Sequence, residues 1–181
     1  MATSKTGSFY LSEELNLSAA ATVNTVTMDL GAYVDVGDQQ AIAIEKVDFI
    51  VQAYDQANDH YSNSLFGSAV ANCSVQFQLS DLNPNGEIIS ASTNSLIASG
   101  CLNIDIANFV TTAASDVFPD SYGKLDESRM VVNDMLYLTG ETIGAYAVNH
   151  EYRVTAIVKA RIVKLGLKDW MSIAVTSTAE S

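Results

Sequence analysis

Apolar residues recur at every second position through most of the chain, the period of a half-buried strand rather than of a helix. Val26, Met28 and Leu30 alternate with Thr27 and Asp29. In CSVQFQLS, Cys73, Val75, Phe77 and Leu79 are interleaved with Ser74, Gln76 and Gln78. CLNIDIA sets Leu102, Ile104 and Ile106 against Asn103 and Asp105, and NDMLYLT makes another short strand. In QAIAIEKVDFIVQAYD, Ile42 and Ile44 share one face, but the following apolar set, Val47, Phe49, Val51 and Ala53, is out of phase with them. A slip of one residue turns every later side chain to the other face, so the pattern predicts a β-bulge or a sheet switch near Glu45–Lys46. The longest candidate is EYRVTAIVKARIVKLGL. Tyr152, Val154, Ala156, Val158, Ala160 and Ile162 form a core-like face, and Arg153, Thr155, Ile157, Lys159, Arg161 and Val163 form an amphipathic, cationic one. A strand of about twelve residues or more exceeds the usual length and predicts one spanning the full height of a sandwich.

Helical spacing is scarce. DIANFVTTAASDVF has Ile106, Phe109 and Val110 on one side and predicts a short helix or a covering turn. The tail LKDWMSIAVTSTAES has Leu167, Trp170, Met171, Ala174 and Val175 at helical spacing, yet SIAVTS also suits a last strand. Both prolines stand in turn contexts, NPNG and FPDSYG. The polar stretches YDQANDHYSNSLFGS and FPDSYGKLDESR are predicted surface loops. No repeat or linker divides the chain. The expected architecture is all-β: one sandwich, a jelly roll by preference, of roughly eight strands. Residues 1–20 form an extended N-terminal arm or a first strand, and residues 21–181 form the sandwich.

Composition narrows the function. The 181 residues suit one domain, and a 48% hydrophobic content with a mean hydropathy of +0.15 is too apolar for a disordered chain. There is no run long enough to span a membrane and no apolar segment behind basic residues at the start, so neither a membrane span nor a secretory leader is expected. The net charge of −12 opposes general contact with nucleic acid, and the first twenty residues hold one basic side chain, Lys5. Yet five of the nine basic residues, Arg153, Lys159, Arg161, Lys164 and Lys168, fall within sixteen positions. They read as a solvated, ion-paired face, as a cationic stripe that docks on an acidic surface of a sister subunit or another partner, or as a weak contact with packaged nucleic acid.

Candidate chemistry is thin. DLNPNGEIISAS has Asp81, Asn83, Asn85 and Gly86 at calcium-loop spacing, but its twelfth position is Ser92 where the bidentate Glu is needed. A turn at NPNG, with a strand resuming at EIISAS, is the preferred reading. Asp55, Asp59 and His60 offer hard-cation ligands in a loop that is more often simply solvated. His60 and His150 are too few for a three-histidine site. Cys73 and Cys101 read as buried thiols. The nucleophile-elbow and phosphate-loop patterns are absent, so no catalytic residue, cofactor or metal is assigned and the chain is expected not to be an enzyme.

What remains is an assembly subunit or a binding module. Only 17% of residues are charged, against about 25% in a typical soluble chain, as expected where neighbours cover much of the surface. The signal-less start, LGAYVDVGDQQAIAIEKVDFIVQAYD, QFQLSDLNPNGEIISAS and the terminal YRVTAIVKARIVKLGLKDWMSIAVTS together resemble the single jelly-roll capsid subunits of prokaryotic viruses. The resemblance implies a sandwich that self-assembles into a closed shell without catalysis. Its partners would be copies of itself and other virion proteins, and it would assemble in the host cytoplasm. The alternative is a non-catalytic carbohydrate- or ligand-binding module, which predicts an exposed aromatic platform, with Tyr54, Tyr61 and Phe66 as candidates.

Overall fold

The structure, a computed structural model, describes residues 3–18, 22–62, 65–115, 129–144, 147 and 149–178. Eleven strands, one α-helix and one short 3-10 turn (Phe66–Ser68) are assigned among them: β1 (Thr3–Ser4), β2 (Phe9–Leu17), β3 (Asn24–Asp29), β4 (Gln40–Asp55), β5 (His60–Ser62), β6 (Cys73–Ser80), β7 (Leu96–Asp105), β8 (Val110–Ser115), β9 (Arg129–Val131), β10 (Met135–Ile143), β11 (His150–Lys164) and α1 (Leu167–Thr178). They form two antiparallel sheets. In the first, β1 and β2 lie along one side of β11, and β4 lies along the other with β5 and β9 on its far edge. The second runs β3–β10–β6–β7–β8.

The pairings define a jelly roll. Leaving aside β1, β5 and β8, eight strands remain, and the first pairs the last (β2·β11), the second the seventh (β3·β10), the third the sixth (β4·β9) and the fourth the fifth (β6·β7). A long antiparallel hairpin rolled around a core produces this nested order. Residues 9–17 are therefore an integral strand of the first sheet.

The period-two faces meet in the middle. Leu15 and Leu17, Ile42 and Ile44, and Tyr152 to Ala160 at alternate positions face Val75, Leu79, Ile104, Leu136 and Leu138 from the other sheet, all 1% exposed or less. Each such Leu, Ile or Val side chain contributes about 1.5–3 kcal/mol by leaving water. Gly140 of β10 is needed here, because a Cβ would lie 2.7 Å from the Gln76 carbonyl oxygen and 3.0 Å from Leu15 Cδ2 of the facing sheet.

The phase slip in β4 is a bulge. Lys46 pairs with Lys159 and Ile44 with Ala160, leaving Glu45 as the extra residue. Beyond it the outer face of the first sheet turns apolar and small, with Ala41, Ala43, Val163 and Leu165, and α1 lies there through Trp170, Ile173 and Ala174. The tail is thus a helix, not a strand. Trp170, Ile173 and Ala174 fall at i, i+3 and i+4, and this buried stripe outweighs the β-branched content.

Several expectations are corrected. DIANFV is not a helix; of the two expected readings the turn holds, as the tight turn of the β7·β8 hairpin, with Phe109 at φ 53° and Ile106 packed against the core. DQANDH is likewise the β4·β5 turn, with Asp59 at φ 54°. In each, the first Asp caps the turn and binds the Asn three residues on, Asn58 Nδ2 donating to Asp55 at 2.7 Å and Asn108 Nδ2 to Asp105 at 2.6 Å. The NPNG turn forms, with positive φ at Asn85 and Gly86 and Glu87 N–H donating to the Pro84 carbonyl at 3.1 Å. No strand resumes at EIISAS, however; β7 begins only at Leu96. Instead the Gln78 side chain grips Ile89, donating to its carbonyl at 2.7 Å and accepting from its N–H at 2.9 Å. Cys73 is buried, but Cys101 is half-exposed on the outer face. Most of FPDSYGKLDESR lies outside the described residues.

Candidate functional site

The outer face of the first sheet gathers three of the five basic residues, and each has carboxylate partners. At one end, Arg153 Nε donates to Glu151 at 2.8 Å, and Nη1 reaches Glu14 at 3.4 Å and the Tyr61 hydroxyl at 3.3 Å. The guanidinium carbon lies 3.5 Å from the centroid of the Tyr54 ring. Glu151, nearly buried, also accepts from Gln56 at 2.7 Å. Burial alone would lower the Arg153 pKa; Glu151, Tyr61 and Glu14 more than reverse that and fix its charge. Register explains the cluster: Glu151 pairs with Tyr54 and Arg153 with Asn16, so strands far apart in sequence converge on one face.

At the other end the bulged Glu45 serves two cations, Lys159 at 3.3 Å and Arg161 at 3.6 Å, and accepts from Ser8 Oγ at 2.8 Å. Burial would raise its pKa, but Ser8, Lys159 and Arg161 prevail and hold the carboxyl below its usual range. Lys164 and Lys168 lie beyond, exposed, and among the described residues neither meets a carboxylate. The stripe is therefore two ion-paired clusters, one cation with two carboxylates at Arg153 and two cations with one carboxylate at Glu45, followed by two open lysines. Glu14, Glu45 and Glu151 are the members that sequence reasoning missed. Only the Glu151–Arg153 pair carries a local signal, since residues two apart share a strand face.

The other candidates are occupied from within. Asp55 accepts from Ala57 N–H at 2.9 Å and Asn58 N–H at 3.3 Å, and Asp59 accepts from the Tyr54 hydroxyl. Asn83 Oδ1 accepts from Asn85 N–H at 2.9 Å, and Asp81, 2% exposed, turns inward to Arg129 at 3.8 Å, so the calcium-loop geometry is not formed. Tyr54 and Tyr61 stack edge-on around Arg153 instead of presenting a platform, and Phe66 packs against the core and Phe109. A cavity of about 180 Å³ lies between Ile88 and the second sheet at Gln76, Gln78, Ser99 and Cys101. It falls below the roughly 300–1,000 Å³ of small-molecule pockets. The second sheet's outer face is otherwise mainly polar and carries the carboxylates Asp29 and Glu141, with Thr25 and Thr139 hydroxyls 3.0 Å apart.

Fold and surface thus define an antiparallel jelly-roll sandwich, the architecture of viral capsid and lectin domains among others. No protein-family model matches the sequence. No curated protein matches it. Among solved structures, the chain is similar to one from Desmodium yellow mottle tymovirus, with a TM-score of 0.36 at 5% identity over 88% of this chain and 90% of that one. A likeness at that level assigns no residue a role. No helix among the described residues is long and apolar enough to cross a membrane.

Proposed function

We propose that the chain is a non-catalytic structural subunit whose copies associate into the shell of a virion. Jelly rolls serve both shells and lectins, so the topology does not choose between them. The observation that carries the choice is apolar surface left open outside the core. Helix α1 buries one stripe and turns a second, Leu167, Met171 and Val175, to solvent at 57, 54 and 62% exposure. Apolar residues at i, i+4 and i+8 form a continuous ridge, and such ridges mark contact surfaces. The partners on this reading are copies of the chain and other virion proteins. Direct contact with nucleic acid is not part of it, because the subunit is acidic and its basic side chains are largely neutralised. The choice of a prokaryotic virus rests on the sequence resemblance alone. Light scattering coupled to size exclusion, with electron microscopy of the same fractions, tests the proposal. Defined oligomers or closed particles are expected; a monodisperse monomer at high concentration across a range of salt overturns it.

A further inference from the structure

The rim of the second sheet offers a contact of a different kind. Strand β8 pairs β7 along one edge and meets no other strand among the described residues. Residues 111–114 are exposed, as are Phe109 at 75% and Val110 at 50%. An edge strand presents a row of unpaired N–H and C=O groups, and sequences usually blunt it with Lys, Pro or an inward charge. β8 has none of these: Ile106 to Ser115 reads IANFVTTAAS. The remaining rim strands are different. β3 ends in Asp29, β5 contains His60, β9 begins with Arg129, β2 carries Glu13 and Glu14, and β1 is only two residues long.

We infer that β8 docks antiparallel on β8 of a second copy, joining two second sheets into one continuous ten-stranded sheet across a two-fold axis. Charge selects the occupant. Two bodies of net charge −12 repel, and they can approach closest where neither presents a charge. The pairing is self-complementary, as an isologous contact requires. Centred on Thr112, it sets Val110 against Ala114, Thr111 against Ala113 and Thr112 against its own copy, with no like charges opposed. It would complete about six backbone hydrogen bonds and cover Val110. The inference deepens the assembly proposal by naming one contact, yet it holds for a simple dimer too.

The test is sedimentation velocity on the full chain with Thr112→Lys and, as a matched control on the opposite rim strand of the same sheet, Thr27→Lys. Both sites are exposed, so both variants should fold. Thr112→Lys is expected to weaken self-association about tenfold or more by setting like charges face to face, while Thr27→Lys leaves it unchanged. Hydrogen exchange supplies a second readout: amides 110–115 should gain protection as concentration rises. If Thr112→Lys associates like wild type, or those amides stay unprotected in associated protein, the β8 contact is wrong while assembly stands. If wild type never associates, both proposals fall.

Discussion

Asp81 is the residue whose environment departs furthest from what water offers. Its side chain is 2% exposed, Oδ1 has no hydrogen-bond partner, and Arg129 stands 3.8 Å from Oδ2. Burial drives its pKa up to about 6, and Arg129 only partly offsets this. The raised value means that between about pH 4 and pH 6 the folded chain holds a proton that the unfolded chain has released. Stability from this group therefore falls as pH rises through that window, by at most roughly 3 kcal/mol. Asp81→Asn keeps the shape and removes the titration. Its stability relative to wild type should climb between pH 4 and pH 6 and hold constant above, as read by urea unfolding at matched pH. A difference independent of pH would mean that Asp81 is ionised throughout. Nothing local in SDLNPN marks Asp81 as buried; its surroundings come from Ser95, Arg129 and Asn133, brought in by strands 14 to 52 positions downstream.

At the level of elements, what the sequence displayed depended on whether one face was enough to decide. The bulge at Glu45 was legible because both halves of β4 bury a face, so a phase error between them has one cheap solution. The cationic face of β11 was legible too, but its partners were not: Glu14 lies 139 positions from Arg153, and only the β2·β11 register brings them together. The β7–β8 segment misled because its turn places Ile106, Phe109 and Val110 at helix-like intervals. Helix α1 was ambiguous because the surface that decides it, Ala41, Ala43 and Val163, belongs to the opposite phase of strands already assigned to the core. That packing gives a test. Trp170→Ala should cost roughly 2–3 kcal/mol, a little below the fully buried range, and expose the small-residue face. Met171→Ser, one position on but outward-facing, should stay within about 0.5 kcal/mol. Equal effects in chemical denaturation would show that the helix does not depend on its inner stripe.

For the molecule as a whole, the sign of the salt response separates two ways of associating. If basic residues led, docking on an acidic neighbour, salt would weaken assembly by screening attraction. The structure leaves little charge for that route: Arg153, Lys159 and Arg161 already face Glu14, Glu45 and Glu151 within the subunit, and among the described basic residues of the stripe Lys164 and Lys168 stand open. Contacts through the α1 ridge or the β8 edge would instead join two acidic bodies at uncharged places. The long-range term is then repulsion between net charges of −12, and screening removes it. The Debye length shortens from about 10 Å at 0.1 M salt to about 3 Å at 1 M, so self-association should strengthen across that range. Lys164→Glu with Lys168→Glu should weaken association at low salt only modestly, and the loss should vanish at high salt. Sedimentation velocity at several salt concentrations reads both effects. Association that falls steadily with salt, or that the double substitution abolishes, would return the contact to the cationic end of β11.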